Sequence, residues 1–164
     1  MIKKINIFIL SMFAVGRSKY APGTVASFIT SLIFIFFFTL QINILILIFG
    51  VSLIFIYSVY SIDTYGNYFD EIDSKEIVID ELVGQSIPIL TIYCFVENND
   101  IYNFILYTFF SFALFRLFDI TKPYPINKID KHMKNGFGVM LDDIVAGIYA
   151  SIFLLIIILF GNYA

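Results

Sequence analysis

The sequence predicts an all-α integral membrane domain of about five apolar helices with an active site on the cytoplasmic face. Three observations carry this expectation. First, the 164 residues are 60% hydrophobic and only 14% charged, whereas soluble domains average about 25% charged residues. Second, the apolar residues fall in runs close to the roughly 17–25 residues that cross a bilayer. Third, all ten Lys and Arg residues can be placed on one side of a membrane: Lys3, Lys4, Arg17, Lys19, Lys75, Arg116, Lys122, Lys128, Lys131 and Lys134. The runs come in back-to-back pairs joined by Gln41-Ile42-Asn43 and by Glu97-Asn98-Asn99-Asp100, and neither joint carries a positive charge. The positive-inside rule makes the basic side cytoplasmic, where it would lie against anionic headgroups. A soluble helical protein rich in Ile and Phe is the alternative, and the span-length runs weigh against it.

Taken in order, the apolar run Ile5 to Val15 is too short to span and follows Lys3 and Lys4. It resembles a signal peptide, but cleavage would export Arg17 and Lys19. An interfacial or re-entrant helix therefore fits better. Pro22-Gly23 is a turn signal, and Thr24 can cap the helix that follows. Val25 to Leu40 and Ile44 to Ile62 read as two antiparallel spans. Asp63 to Glu76 reads as a cytoplasmic loop, Ile77 to Val96 as a third span with a kink at Pro88, and Ile101 to Phe118 as a fourth. Asp119 to Leu141 is the longest polar connection, broken by Pro123, Pro125, Gly136 and Gly138, and Asp142 to Phe160 is the last helix. Residues 1–164 form one domain without repeat or linker. The single cysteine, Cys94, lies in an apolar run, so no intrachain disulfide can form and the thiol is expected to pack as a small hydrophobe.

Almost every residue capable of chemistry falls on the basic side. Asp80-Glu81 and Asp142-Asp143 each stand at the start of an apolar helix. One carboxylate would suffice as a helix cap. Two adjacent ones beside hydrocarbon repel each other and are costly to desolvate. A divalent cation removes both penalties, and hard oxygen ligands suit Mg²⁺. Arg116 and Asp119 are three apart, so they share a helix face and can pair. Arg116 can also act as a planar phosphate clamp, with Lys122 adding a point charge. Asp119 would then orient Arg116 or join the metal shell. Gly136-Phe137-Gly138 precedes a helix, but its spacing is not that of a Walker loop. His132, the only histidine, lies in a basic stretch and reads as a solvated surface residue.

Several chemistries are excluded. There is no Cys-x5-Arg, no second histidine for a histidine-based lipid phosphatase, and no Gly-x-Ser-x-Gly elbow. Carboxylates, a metal, a few cations and water remain. That inventory suits metal-assisted transfer of a phosphoryl group to water.

Four blocks resemble the phosphatidylglycerophosphatase A family. They are Ala21-Pro22-Gly23-Thr24 with Ser27; Ile79-Asp80-Glu81-Leu82-Val83-Gly84; Phe115-Arg116-Leu117-Phe118-Asp119-Ile120-Thr121-Lys122-Pro123-Tyr124-Pro125-Ile126; and Gly138-Val139-Met140-Leu141-Asp142-Asp143-Ile144-Val145-Ala146-Gly147. The resemblance implies a Mg²⁺-dependent phosphatase of the inner membrane that hydrolyses phosphatidylglycerophosphate to phosphatidylglycerol, with no nucleic-acid partner. It places the catalytic and metal-binding roles on Asp80, Glu81, Asp142 and Asp143. Arg116, Asp119 and Lys122 match the family's second polar cluster, and with Thr24 they form the expected phosphate-binding set. Ala26 stands where the family usually has Gly, and Tyr124 where it has Trp. A histidine often found upstream of the Asp-Glu pair is absent where Asp70 to Glu76 stands, leaving Thr24, Lys122 or water for its role. Two rivals are another lipid head-group enzyme, such as a CDP-alcohol transferase, and a non-enzymatic transporter or ion-binding protein. The transferase's usual acidic pattern is missing. Transporters place charges at the midplane in broken helices, whereas here the charges stand at helix ends.

Overall fold

Seven helices and two short 3-10 turns make up the described residues 2–68, 74–97 and 99–161 of this computed structural model, with no strand among them. In chain order they are α1 (Ile2–Leu10), a turn at Val15–Arg17, α2 (Pro22–Thr39), α3 (Ile44–Tyr65), a turn at Gly66–Tyr68, α4 (Ile79–Phe95), α5 (Ile101–Thr121), α6 (Ile126–His132) and α7 (Gly136–Gly161). Four of them, α2, α3, α5 and α7, are long and apolar enough to cross a membrane. Leu45, Phe49 and Ile56 of α3, Phe109 of α5 and Phe160 of α7 all face outward. An apolar surface of that extent is stable against lipid and a liability in water. This is a membrane protein.

The fifth apolar run is α4, and its setting differs. It has 17 residues and packs against α2, α3, α5 and α7. A helix that faces protein rather than lipid can carry polar groups, provided they find partners. Gln85 is fully buried in α4. Its Nε2 donates to Ser31 Oγ of α2 at 3.3 Å and to Ser111 Oγ of α5 at 3.1 Å. The expected interior packing of Cys94 is not found: the thiol is exposed, because α4 turns a different stripe, including Gln85, Ile89 and Ile92, toward its neighbours.

The two joints that lack basic residues lie together, since Gln41 Nε2 donates to Asn99 Oδ1 at 3.3 Å. Beneath them Phe38 stacks on Phe104 with ring centroids 3.8 Å apart, and Tyr93 meets both edge-on. At the opposite, basic end, α1 docks on the start of α4: Leu10 is fully buried and its carbonyl accepts from the Val78 N–H at 3.1 Å.

Several boundaries differ from the sequence expectation, each for a local reason. The first helix ends at Leu10, and the chain reverses through left-handed Met12, Phe13 and Ala14. Helix α2 starts at Pro22, whose fixed φ suits the first helical position. Ala21 is then its N-cap, and Thr24 sits inside the first turn rather than capping it. Helix α3 runs on to Tyr65, so the loop expected from Asp63 is shorter; residues 69–73 of it lie outside the described residues. Helix α4 continues through Pro88 to Phe95. The polar connection expected from Asp119 holds the last turn of α5 and all of α6. Finally, α7 begins at Gly136, not Asp142, because side chains cap its first N–H groups. Asp63 Oδ1 accepts from the Gly136 N–H at 2.6 Å, and Asn135 Oδ1 from the Gly138 N–H at 2.8 Å.

Candidate active site

The first turns of α2 and α4, the end of α5 and the second turn of α7 converge at the basic end. Two glycines make this possible. A Cβ on Gly84 would stand 2.7 Å from the Phe115 ring, 2.8 Å from the Asp143 carbonyl oxygen and 2.9 Å from Asp143 Cβ. A Cβ on Gly147 would collide with the Gly84 carbonyl oxygen. With neither side chain present, α4 and α7 cross closely enough to place Asp143 beside Asp80 and Glu81. Asp80, Glu81 and Asp143 each offer a carboxylate oxygen within 4.8 Å of the other two.

The two members of the Asp142-Asp143 pair face different ways, since successive residues on a helix are turned by about 100°. Asp143 joins Asp80 and Glu81. Asp142 instead accepts from Lys122 Nζ through Oδ2 at 2.8 Å. Lys122 also pairs with Asp130 of α6 at 2.8 Å. It reaches both because α5 ends there in a left-handed residue, followed by Pro123. Partial burial alone would lower the ammonium's pKa. Hydrogen bonds to Asp130 and Asp142, with the charges of both, outweigh that effect and raise it above the ordinary 10.5. Burial likewise opposes ionisation of Asp130, but Lys122, with Lys134 and Lys131, holds its carboxyl below the ordinary 3.8.

Arg116 forms the second cluster. Its Nη1 lies 2.6 Å from Asp119 Oδ2, as the three-residue spacing predicts, and 4.0 Å from Glu81 Oε1. Arg116 therefore bridges the carboxylate group and Asp119. Gly23, on the first turn of α2, packs directly against Glu81 and Arg116. Its neighbour Thr24 is half-buried on the same turn. First-turn N–H groups have no partner within their own helix, so this end of α2 presents donors and a positive dipole to the cluster. His132 is exposed, as expected.

Asp142 and Asp143 are buried. Glu81 Oε2, Asp143 Oδ2 and Arg116 Nε are buried without a hydrogen-bond partner. Orphaned charged atoms at this density are costly unless a ligand completes them. The donor chemistry is that of a hard cation bound by oxygen, with a cationic fork beside it for an anion. Among the described residues, Asp80, Glu81 and Asp143 form a group that could hold such a metal.

Residues 8–158 match the phosphatidylglycerophosphatase A family. The chain belongs to that family. Phosphatidylglycerophosphatase A members are phosphatases, and apart from Asp130 the clusters above are built from the blocks that carried the resemblance. Among curated proteins, a Bacteroides thetaiotaomicron protein is 34% identical over 143 residues, 85% of each chain, and bears the provisional name phosphatidylinositol-3-phosphatase. Phosphatidylglycerophosphatase A of Escherichia coli K12 is 29% identical over 142 residues, covering 85% of this chain and 75% of that one. The Haemophilus influenzae phosphatidylglycerophosphatase A is 60% identical over 42 residues, 26% of each chain. No solved structure matches.

Sequence reasoning missed three contributors. Asp130 was hidden among Lys128, Lys131 and Lys134, although an acid inside a basic run is itself a signal for pairing. Gly84 and Gly147 stood inside the quoted blocks without an assigned role, and only the helix crossing shows why a side chain does not fit there.

Proposed function

We propose that this protein is a Mg²⁺-dependent phosphatase that hydrolyses phosphatidylglycerophosphate to phosphatidylglycerol and inorganic phosphate at the cytoplasmic face of the inner membrane. The observation that carries this reading is the group of three carboxylates, half-buried Asp80 and Glu81 with buried Asp143, standing at the ends of apolar helices with Arg116 beside Glu81. A phosphomonoester at headgroup depth meets these groups while its acyl chains stay in the bilayer. The absence of basic residues from the two joints supports the cytoplasmic orientation.

Bound by the three carboxylates, Mg²⁺ would relieve their mutual repulsion and act as a Lewis acid toward phosphoryl oxygens. The residues supply the rest. Arg116 offers its fork to the phosphoryl oxygens, and Asp119 fixes the orientation of that fork. Lys122 adds positive charge and is itself held by Asp142 and Asp130. Thr24 and the first-turn N–H groups of α2 give further donors. One carboxylate of Asp80, Glu81, Asp142 and Asp143 takes a proton from the attacking water. The water oxygen bonds to phosphorus, the bond from phosphorus to the glycerol oxygen breaks, and that oxygen recovers the proton.

One observation favours a second headgroup. The Bacteroides relative named for a phosphatidylinositol 3-phosphate activity covers as much of this chain as the Escherichia coli phosphatidylglycerophosphatase A does. Both substrates are phosphomonoesters on a lipid headgroup. The test is phosphate release by purified protein from each lipid in mixed micelles with Mg²⁺. Faster release from phosphatidylglycerophosphate is expected. Release from the inositol lipid alone would move the assignment to the second reading, and release from neither would overturn both.

A further inference from the structure

A cavity of about 510 Å³ opens between α2 and α3, within the range of roughly 300–1,000 Å³ typical of small-molecule sites. Thr30, Phe37, Ile46, Gly50, Ile54 and Leu82 are among its lining residues. The lining is apolar apart from Thr30, whose hydroxyl is already satisfied by the Ala26 carbonyl at 2.9 Å. The cavity exists because α2 and α3 both pack on α4 but scarcely on each other. Leu82, the residue after Glu81, stands at the end nearest the carboxylates, and Ile46 stands toward the joints that lack basic residues. Along α3, Ile54 to Ile46 spans about 12 Å of helix.

Gly50 is the anomaly. Gly23, Gly84 and Gly147 each lack a side chain because a neighbour occupies its place. A Cβ on Gly50 would meet nothing within 4 Å. Glycine in a helix interior costs stability, and packing gives no reason for it here. Its neighbours one turn away, Ile46 and Ile54, are large, so Gly50 does not belong to a small-residue seam for close helix pairing. That argues against a second copy of the chain as the occupant. What the glycine does is keep the groove open.

We propose that this groove is an acyl-chain subsite. It receives one fatty acyl chain of the lipid whose phosphate is held at Asp80, Glu81, Asp143 and Arg116, and Gly50 sets the length of chain accepted. Inside a bilayer an apolar groove fills with hydrocarbon. A lipid anchored by its headgroup presents its own chain at high effective concentration, and the groove opens beside that anchor. This inference rests on the lipid-phosphatase reading above.

Gly50→Leu puts a branched side chain into the groove at a position where its Cβ meets nothing within 4 Å, and a long-chain and a short-chain phosphatidylglycerophosphate are compared in the same micelles. The ratio of kcat/KM, long over short, should fall by about tenfold, the scale of one misplaced branched side chain in an apolar pocket. Gly50→Ala should give a smaller fall in the same direction. Ile105→Phe, in the separate 250 Å³ groove between α2 and α5, should leave the ratio unchanged. An unchanged ratio in Gly50→Leu, or an equal fall in Ile105→Phe, would overturn the proposal. A second readout does not need turnover: a lipid phosphomonoester carrying a diazirine at the end of one chain is photolysed with wild-type protein. Adducts on Ile46, Gly50 and Ile54 that vanish in Gly50→Leu support the groove. Adducts spread equally over Leu45, Phe49 and Leu53 refute it. If wild-type protein hydrolyses no lipid phosphomonoester, the enzymatic reading fails, and the adduct positions still decide the groove.

Discussion

Gly84→Ala adds one methyl group where α4 crosses α7. That carbon would stand 2.7, 2.8 and 2.9 Å from the Phe115 ring, the Asp143 carbonyl oxygen and Asp143 Cβ, against 3.4–4 Å for ordinary contact. The ring can turn aside. The Asp143 backbone can move only if α7 withdraws from α4, which takes Asp143 away from Asp80 and Glu81. Overpacking of this kind costs about 1–3 kcal/mol, and a misplacement near 1 Å at a catalytic centre costs up to about 10²-fold in rate. Gly84→Ala should therefore lower the melting temperature in detergent and reduce kcat per folded molecule by roughly 10- to 100-fold. The matched control for stability is Gly50→Ala, the same change in a helix with open space around it. It should raise stability by up to about 1 kcal/mol through helix propensity. Wild-type melting and wild-type kcat in Gly84→Ala would refute the claim that close helix approach assembles the site.

Two further predictions come from the charged clusters and a third from the placement of the basic residues. Arg116→Lys keeps the charge but loses the fork shared by Asp119 and the phosphate, so kcat/KM should fall by about 1–3 kcal/mol with little change in melting temperature; a stability loss that accounts for all the lost activity would end the clamp role. Asp130 is held below its ordinary 3.8 by Lys122, so its contribution to stability is present above that value and is lost as pH falls through the lower folded pKa. Lys122→Ala should flatten this acid-side dependence in melting curves and weaken substrate binding, and an unaltered acid slope would show that the pair contributes nothing. Cysteines placed at Asn43 and Asn99 in a Cys94-free background should react with an impermeant reagent only from outside, and labelling from the cytoplasm alone would invert the topology.

The sequence was most legible where one physical rule dominates. The spans followed from hydrocarbon thickness, and the gathering of Lys and Arg at one end followed from charge. The pairing of Arg116 with Asp119 followed from helical spacing. What it hid was set by the path of other segments. Helix α7 begins at Gly136 because Asp63, on α3, caps it together with the local Asn135, and the contribution of Asp63, 73 residues away, has no local signal. The Asp142-Asp143 pair read as one unit, yet helical rotation sends Asp143 to the carboxylate group and Asp142 to Lys122. Helix α4 read as an ordinary span. Its central place among four neighbours explains why it alone carries a buried glutamine. Gly50 and Gly84 are indistinguishable as letters, and only their surroundings separate an open groove from a tight crossing.

The most direct test is phosphate release from phosphatidylglycerophosphate under metal removal and return, on wild-type protein and Asp143→Asn side by side. Chelation should abolish release by the wild type, and added Mg²⁺ should restore it. Asp143→Asn should remain folded and lose roughly 10³-fold or more in kcat at saturating Mg²⁺, the scale of losing a principal electrostatic group. Full turnover in chelator, or near-wild-type turnover in Asp143→Asn, would contradict a carboxylate-held metal as the centre of this site.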